Sequence, residues 1–144
     1  MADRSVADEA GMAALGHELA GAVAAPAVIF LEGTLGAGKT TLARAFLQGL
    51  GYTGAVRSPT YTLVESYPFE TFDVHHLDLY RIADPDELEF LGIRDLAAAD
   101  AIWLVEWAER GADRLPAPDY VIRIAFDGTG RRVTGLPDAL ATPA

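Results

Sequence analysis

The sequence predicts an α/β fold with a mixed, mainly parallel sheet, and three observations carry that prediction. A short apolar run of strand type at residues 27–31 (AVIFL) leads into a glycine-rich loop, and an amphipathic helix follows it. Two further β-type stretches, residues 61–67 and 72–79, sit either side of a turn at residues 68–71. A last pair, residues 120–126 and 131–136, flanks Asp127-Gly128-Thr129-Gly130 and reads as a closing hairpin. Strand, glycine loop and helix belong to a parallel core, while hairpins supply antiparallel edges.

The elements follow in order. Residues 5–23 read as an amphipathic helix, with Met12, Leu15, Leu19 and Val23 on one stripe. Strand 27–32 precedes Gly33-Thr34-Leu35-Gly36-Ala37-Gly38-Lys39-Thr40, which is G-x-x-x-x-G-K-[ST], the phosphate-binding P-loop. The helix of residues 39–50 places Leu42, Phe46 and Leu50 on one face, and Gly51 stops it. Pro59 pushes Ser58 away from helix, so Ser58-Pro59-Thr60 is extended or turning. Asp84-Pro85-Asp86-Glu87 signals a helix start, with a capping residue, proline at the first position and an acid two residues on. Gly92 ends that helix. Residues 101–105 form a buried-type strand. The expectation is a single P-loop NTPase domain over residues 1–136, helices flanking the sheet, and a flexible tail at 137–144.

Lys39 is the only lysine; the other ten basic residues are arginines. A compact ammonium on a flexible stem suits the β- and γ-phosphates of a nucleotide. Gly36 and Gly38 free the backbone, so the N–H groups around Ala37 can turn toward phosphate oxygens. The helix starting near Lys39 adds its positive end. The Thr40 hydroxyl is placed to ligate a Mg²⁺ that bridges phosphates, and Thr41 to reach a phosphate oxygen.

Such a loop needs an acid on the metal's far side, at the end of an apolar strand. Asp78 and Glu106 both qualify. In strand register Val74, His76, Asp78 and Tyr80 share one face, so His76 and Asp78 point together. A transition-metal site at that pair has no further histidine cluster to support it, and His17 reads as an ordinary surface residue. Trp107 either packs in the core or flanks the site, and Thr60 lies where a switch loop would sense a γ-phosphate. The chain has no asparagine, so the Asn-Lys-x-Asp guanine motif cannot exist; ATP is the expected nucleotide.

Composition bounds the rest. The 144 residues make one domain with room for a core but little for a lid. A net charge of −10 disfavours a direct grip on nucleic acid. The absence of cysteine removes disulfides, thiolate metal sites and a cysteine nucleophile, and fits a cytoplasmic protein. The apolar stretch at 20–31 lacks a basic leader, is broken by Pro26 and is too short for a bilayer, so no targeting signal or membrane contact is expected.

LEGTLGAGKTTLARAFLQGLG, VRSPTYTLVESY, HHLDLYRIADPDELEFLGIRDL and WLVEW, in that order, resemble the TsaE (YjeE) family from about Asp8 to Val133. The resemblance implies a bacterial ATPase that uses Mg²⁺ and ATP. It would support threonylcarbamoyladenosine formation at position 37 of tRNAs reading ANN codons. It would work with TsaD and TsaB, touch tRNA only through them, and be a monomer or weak dimer alone. By position, Lys39 and Thr40 would meet phosphate and Mg²⁺, Glu106 would be the second Mg²⁺ contact, and Asp78 the acid needed for hydrolysis. The switch-like segment would fall on Ser58 to Thr60 and the active-site tryptophan on Trp107. Further nucleotide contacts would fall on Glu9 and Arg131, with Arg132 one step away in register. Two rivals share the motif: a small-molecule P-loop kinase, for which no arginine-rich lid is evident, and a non-hydrolysing ATP-dependent switch.

Overall fold

The structure, a computed structural model, describes residues 1–97 and 100–141. Its seven strands form one sheet: β1 (Ala2–Val6), β2 (Ala27–Glu32), β3 (Val64–Pro68), β4 (Asp73–Asp78), β5 (Ala101–Glu106), β6 (Tyr120–Asp127) and β7 (Gly130–Leu136). The order is β1-β7-β6-β2-β5-β4-β3. The four central strands β6, β2, β5 and β4 run parallel, while β1, β7 and β3 add antiparallel edges. This is the α/β architecture the sequence predicts.

Strand β5 is buried along its whole length because both faces of the sheet are covered there, whereas β6 alternates and leaves Arg123, Ala125 and Phe126 exposed. Helices α1 (Glu9–Ala22) and α2 (Lys39–Gly49) lie on one face, where Leu15, Leu19, Leu42 and Phe46 pack on Ile29, Leu31, Ile102, Leu104 and Ile122. The other face is covered by the short helices α3 (Glu87–Phe90) and α4 (Ile93–Ala97) and by 3-10 turns at Ala108–Arg114. There Leu77, Trp103 and Val105 meet Leu88 and Ile93. The two long helices touch closely at Gly16. A Cβ there would stand 2.5 Å from the Ala45 Cβ and 2.9 Å from the Leu42 carbonyl oxygen. Only glycine permits that approach, and it fixes where α2, and so the P-loop at its head, sits against the sheet.

Several boundaries differ from the sequence expectation. Residues 5 and 6 belong to a strand rather than to the first helix. Ser5 pairs with Arg132 and Val6 with Arg131, and the helix starts only at Glu9, after Asp8 caps it by accepting from the Gly11 N–H at 2.8 Å. The alternating burial of Ala2, Arg4 and Val6 is a period-2 pattern that the adjoining helical stripe masks. The strand expected at 61–67 begins at Val64, because a turn closed by the Leu63 N–H on the Pro59 carbonyl occupies its start. Pro68 is tolerated because β3 is an edge strand. The helix expected at Asp84 opens as 3-10 turns, with Asp84 Oδ1 accepting from the Asp86 N–H and Glu87 Oε2 from the Ala83 N–H. The tail expected from residue 137 starts as a 3-10 turn, Asp138–Leu140, that buries Leu140 in the core beneath α1 and α2; residues 142–144 lie outside the described residues. Among the described residues, no helix is long and apolar enough to cross a membrane.

Candidate nucleotide-binding site

The P-loop joins the carboxyl end of β2 to α2, in the crevice outside the ends of the parallel strands where ligands of open α/β sheets bind. Gly38 caps α2 with φ of +117°, a conformation that a side chain would strain. Its carbonyl accepts from the Leu42 N–H, and the Ala37 N–H closes a turn on Thr34. Lys39 is folded back over this loop. Its Nζ donates to the Gly33 carbonyl at 2.6 Å and stands 3.9 Å from the centre of the Trp107 ring.

Of the hollows that border the loop, two adjoin at Gly36, Gly38 and Thr41, and a third lies against Gly33, Thr34, Lys39, Trp107 and Arg123. The acidic cleft, about 450 Å³, brings Lys39, Thr40, Thr60, Asp78, Glu106 and Trp107 together. Asp78 and Glu106 are register partners on β4 and β5, so parallel pairing sets the two carboxylates side by side at the strand ends. The second hollow, about 340 Å³, lies on the hairpin side and gathers Glu9, Gly36, Ala37, Gly38, Thr41 and Arg131. Every residue expected at the site thus lines one hollow or the other. Arg131 and Arg132 separate cleanly. The Arg131 guanidinium donates to the carbonyls of Ala37 at 3.0 Å and Gly36 at 3.4 Å, and lies over the Phe126 ring. Arg132 turns to the opposite face, toward Ser5 and Asp3 on β1.

The electrostatics of the cleft are unusual for a protein surface. Lys39 is only 6 % exposed, Asp78 8 % and Glu106 3 %. Burial lowers the Lys39 pKa, against the attraction of Glu106, Asp78 and Glu109. Burial raises the Asp78 carboxyl above its ordinary range; the Tyr80 N–H on its Oδ1 opposes the shift, and neighbouring Glu106 reinforces it. Among the described residues, neither carboxylate forms an ion pair with lysine or arginine. Two buried acids beside a threonine hydroxyl form a hard-oxygen donor set that suits Mg²⁺. His76 does not extend that set. Its Nε2–H donates to Glu106 Oε2 at 2.6 Å, and among the described residues no cluster of three or more metal-ligating side chains exists. The transition-metal reading of His76 with Asp78 therefore has no geometric support.

Sequence reasoning passed over several lining residues. Leu35, Tyr80 and Arg81 border the acidic cleft, and Asp8, Met12 and Thr129 border the hairpin side. Arg81 lies 4.7 Å from the Tyr61 ring centre. Tyr80 and Arg81 follow Asp78 directly, so their place next to the strand end was the available signal. Trp107 flanks the cleft rather than only packing: its φ of +58° turns the chain so that its ring meets both Lys39 and Tyr80. His17 is exposed, as expected.

Comparison with known proteins supplies independent findings. The family model described as threonylcarbamoyl adenosine biosynthesis protein TsaE matches residues 6–133. A Haemophilus influenzae protein named tRNA threonylcarbamoyladenosine biosynthesis protein TsaE is 51 % identical over 106 residues, spanning 74 % of this chain and 67 % of the relative. The Streptomyces coelicolor protein of the same name is 38 % identical over 141 residues, spanning 91 % and 95 %. The crystal structure of YdiB from Bacillus subtilis superposes with a TM-score of 0.74 at 29 % identity, covering 95 % of this chain and 86 % of that one.

Proposed function

The chain belongs to the TsaE family, and on that premise we propose that it is an ATPase that binds and hydrolyses Mg-ATP at its P-loop. In this reading it acts with TsaD and TsaB, in the cytoplasm, to support threonylcarbamoyladenosine formation at position 37 of tRNAs reading ANN codons. The family's role in tRNA threonylcarbamoyladenosine biosynthesis gives the process. The observation that carries the ATPase reading is the meeting of Lys39, Thr40, Asp78 and Glu106 in one cleft beside the P-loop.

The triphosphate would lie along the loop, its oxygens toward the backbone N–H groups and the positive end of α2. Lys39 would leave the Gly33 carbonyl for the β- and γ-phosphates, its ammonium still facing the Trp107 ring. Thr40, Glu106 and Asp78 are the oxygen donors that would hold Mg²⁺, which when bound neutralises phosphate charge. Asp78 would orient the attacking water and accept its proton. Lys39 and the loop N–H groups stabilise the charge of the in-line transition state. Thr60, on the segment after α2, reaches the same cleft and would register the γ-phosphate. Glu9 and Arg131, on the hairpin side, would meet the rest of the nucleotide. The net charge of −10 supports contact with tRNA through protein partners rather than directly.

The test is reconstituted modification of tRNA with TsaD, TsaB and this chain. Asp78→Ala should abolish multiple turnovers while nucleotide binding survives, and Lys39→Ala should remove both. Full modification with Asp78→Ala would replace the ATPase by a binding-only switch.

A further inference from the structure

His76 is buried behind the cleft, against Glu106, and the proposed chemistry does not use it; its surroundings argue that it is not there for packing. It lies on β4, 1 % exposed at its side chain, between Val74 and Asp78 on the same face and paired in register with Leu104 of β5. A leucine would satisfy that apolar setting. The imidazole instead leaves its Nδ1 sealed from solvent with no hydrogen-bond partner, and it is the only such buried side-chain atom among the described residues. An orphaned buried polar atom costs stability, because it gives up its hydrogen bonds to water and gains none in return. The other ring nitrogen makes a short bond: Nε2–H donates to Glu106 Oε2 at 2.6 Å. Glu106 Oε1, by contrast, makes no hydrogen bond within the described chain and is not sealed from solvent. Glu106 lines the cleft that also holds Thr40 and Asp78.

We propose that His76 is a positioning residue that locks the Glu106 carboxylate, engaging one oxygen so that the other is presented to a divalent cation beside the nucleotide phosphates. The inference rests on the Mg-ATP reading and deepens it. His76 acts through Glu106 and touches neither nucleotide nor metal. Its ring turns a two-oxygen carboxylate that could rotate into a fixed single donor. Partners that orient ligating carboxylates in this way typically contribute tenfold to a hundredfold in metal affinity. The orphaned Nδ1 is consistent with this role, because the ring orientation that satisfies Glu106 is retained despite that cost.

The test is ADP binding read by tryptophan fluorescence or calorimetry, over a Mg²⁺ titration and in its absence, for wild type, His76→Leu and His76→Gln. Glutamine can carry an N–H donor to about the place of Nε2, whereas leucine fills the space without one. The expected result is a rise of about tenfold to a hundredfold in the Mg²⁺ concentration for half-maximal effect in His76→Leu. His76→Gln should stay within a few-fold of wild type, and affinity for metal-free ADP should be equal in all three. Wild-type Mg²⁺ response in His76→Leu overturns the proposal and leaves the Mg-ATP reading standing. Equal loss in His76→Gln and His76→Leu, with metal-free binding intact, overturns it as well, because the donor would then be irrelevant. A wild-type protein whose ADP affinity ignores Mg²⁺ overturns both. Should His76→Leu fail to fold, His76→Gln decides through the same titration read against Glu106→Gln: a loss as large as that variant's refutes the donor role.

Discussion

Asp78→Asn is expected to stabilise the ligand-free protein while removing hydrolysis, the reverse of an ordinary buried substitution. Asp78 is 8 % exposed and adjoins a second buried carboxylate, Glu106, with no ion-pair partner among the described residues. Keeping an unpaired carboxylate away from water costs several kcal/mol after relaxation, and asparagine removes that charge. The Tyr80 N–H keeps an acceptor in the amide oxygen, though it gives up roughly 1 kcal/mol because the acceptor is no longer charged. The net gain should be about 1–2 kcal/mol, within the range of functional-site replacements. At roughly 4 °C per kcal/mol for a chain of this size, the melting temperature rises by about 4–8 °C.

The pH dependence gives that gain a signature. Burial holds the folded-state pKa of Asp78 above the ordinary aspartate value near 3.8. The cost of ionising it is therefore full above the folded-state pKa and vanishes below the ordinary one. As pH falls between the two, the wild type recovers stability and the advantage of Asp78→Asn shrinks. Thermal melts of both proteins in chelator, from pH 8 down toward pH 4, measure the gap directly. A lower melting temperature for Asp78→Asn at pH 8, or a gap that does not narrow on acidification, would refute the reasoning.

Three further outcomes follow from the same geometry. Arg131→Met releases the carbonyls of Ala37 and Gly36 and should weaken nucleotide binding by about 1–2 kcal/mol, roughly five- to thirtyfold, whereas Arg132→Met, on the other face of β7, should leave calorimetric affinity unchanged. Gly16→Leu drives a side chain into Ala45 and the α2 backbone; a loss of about 1–3 kcal/mol, or about 4–12 °C, is expected in thermal melts. Leu140→Ala should cost about 2 kcal/mol in urea unfolding, because Leu140 packs on the core; an unchanged midpoint would return that segment to a loose tail.

Much of this was legible in the sequence because it is local. The P-loop string, the apolar run before it and the helical stripe after it lie within about two dozen residues, and the structure builds all three in place. Asp78 and Glu106 could be named as strand-end acids from their own segments alone. What could not be read is what depends on register between distant strands. Nothing in residues 2–6 announces that they will pair with 131–136, so the helical stripe alone starts the first helix four residues too early. The same ignorance hides the choice between Arg131 and Arg132, which the pairing of β1 with β7 decides by facing alternate side chains to opposite sides. The sequence places His76 on the face of Asp78, but its real partner is Glu106, thirty residues on and one strand away. Leu140 looked like part of a small-residue tail because one leucine among alanines and prolines carries no periodic signal.

The most direct test of the central claim is phosphate release from Mg-ATP by the purified chain, alone and with TsaD and TsaB, with Lys39→Ala beside the wild type. The account predicts slow release alone, faster release in the complex, and loss of both with Lys39→Ala. Equal rates with and without the partners, or turnover that survives removal of the Lys39 ammonium, would contradict it.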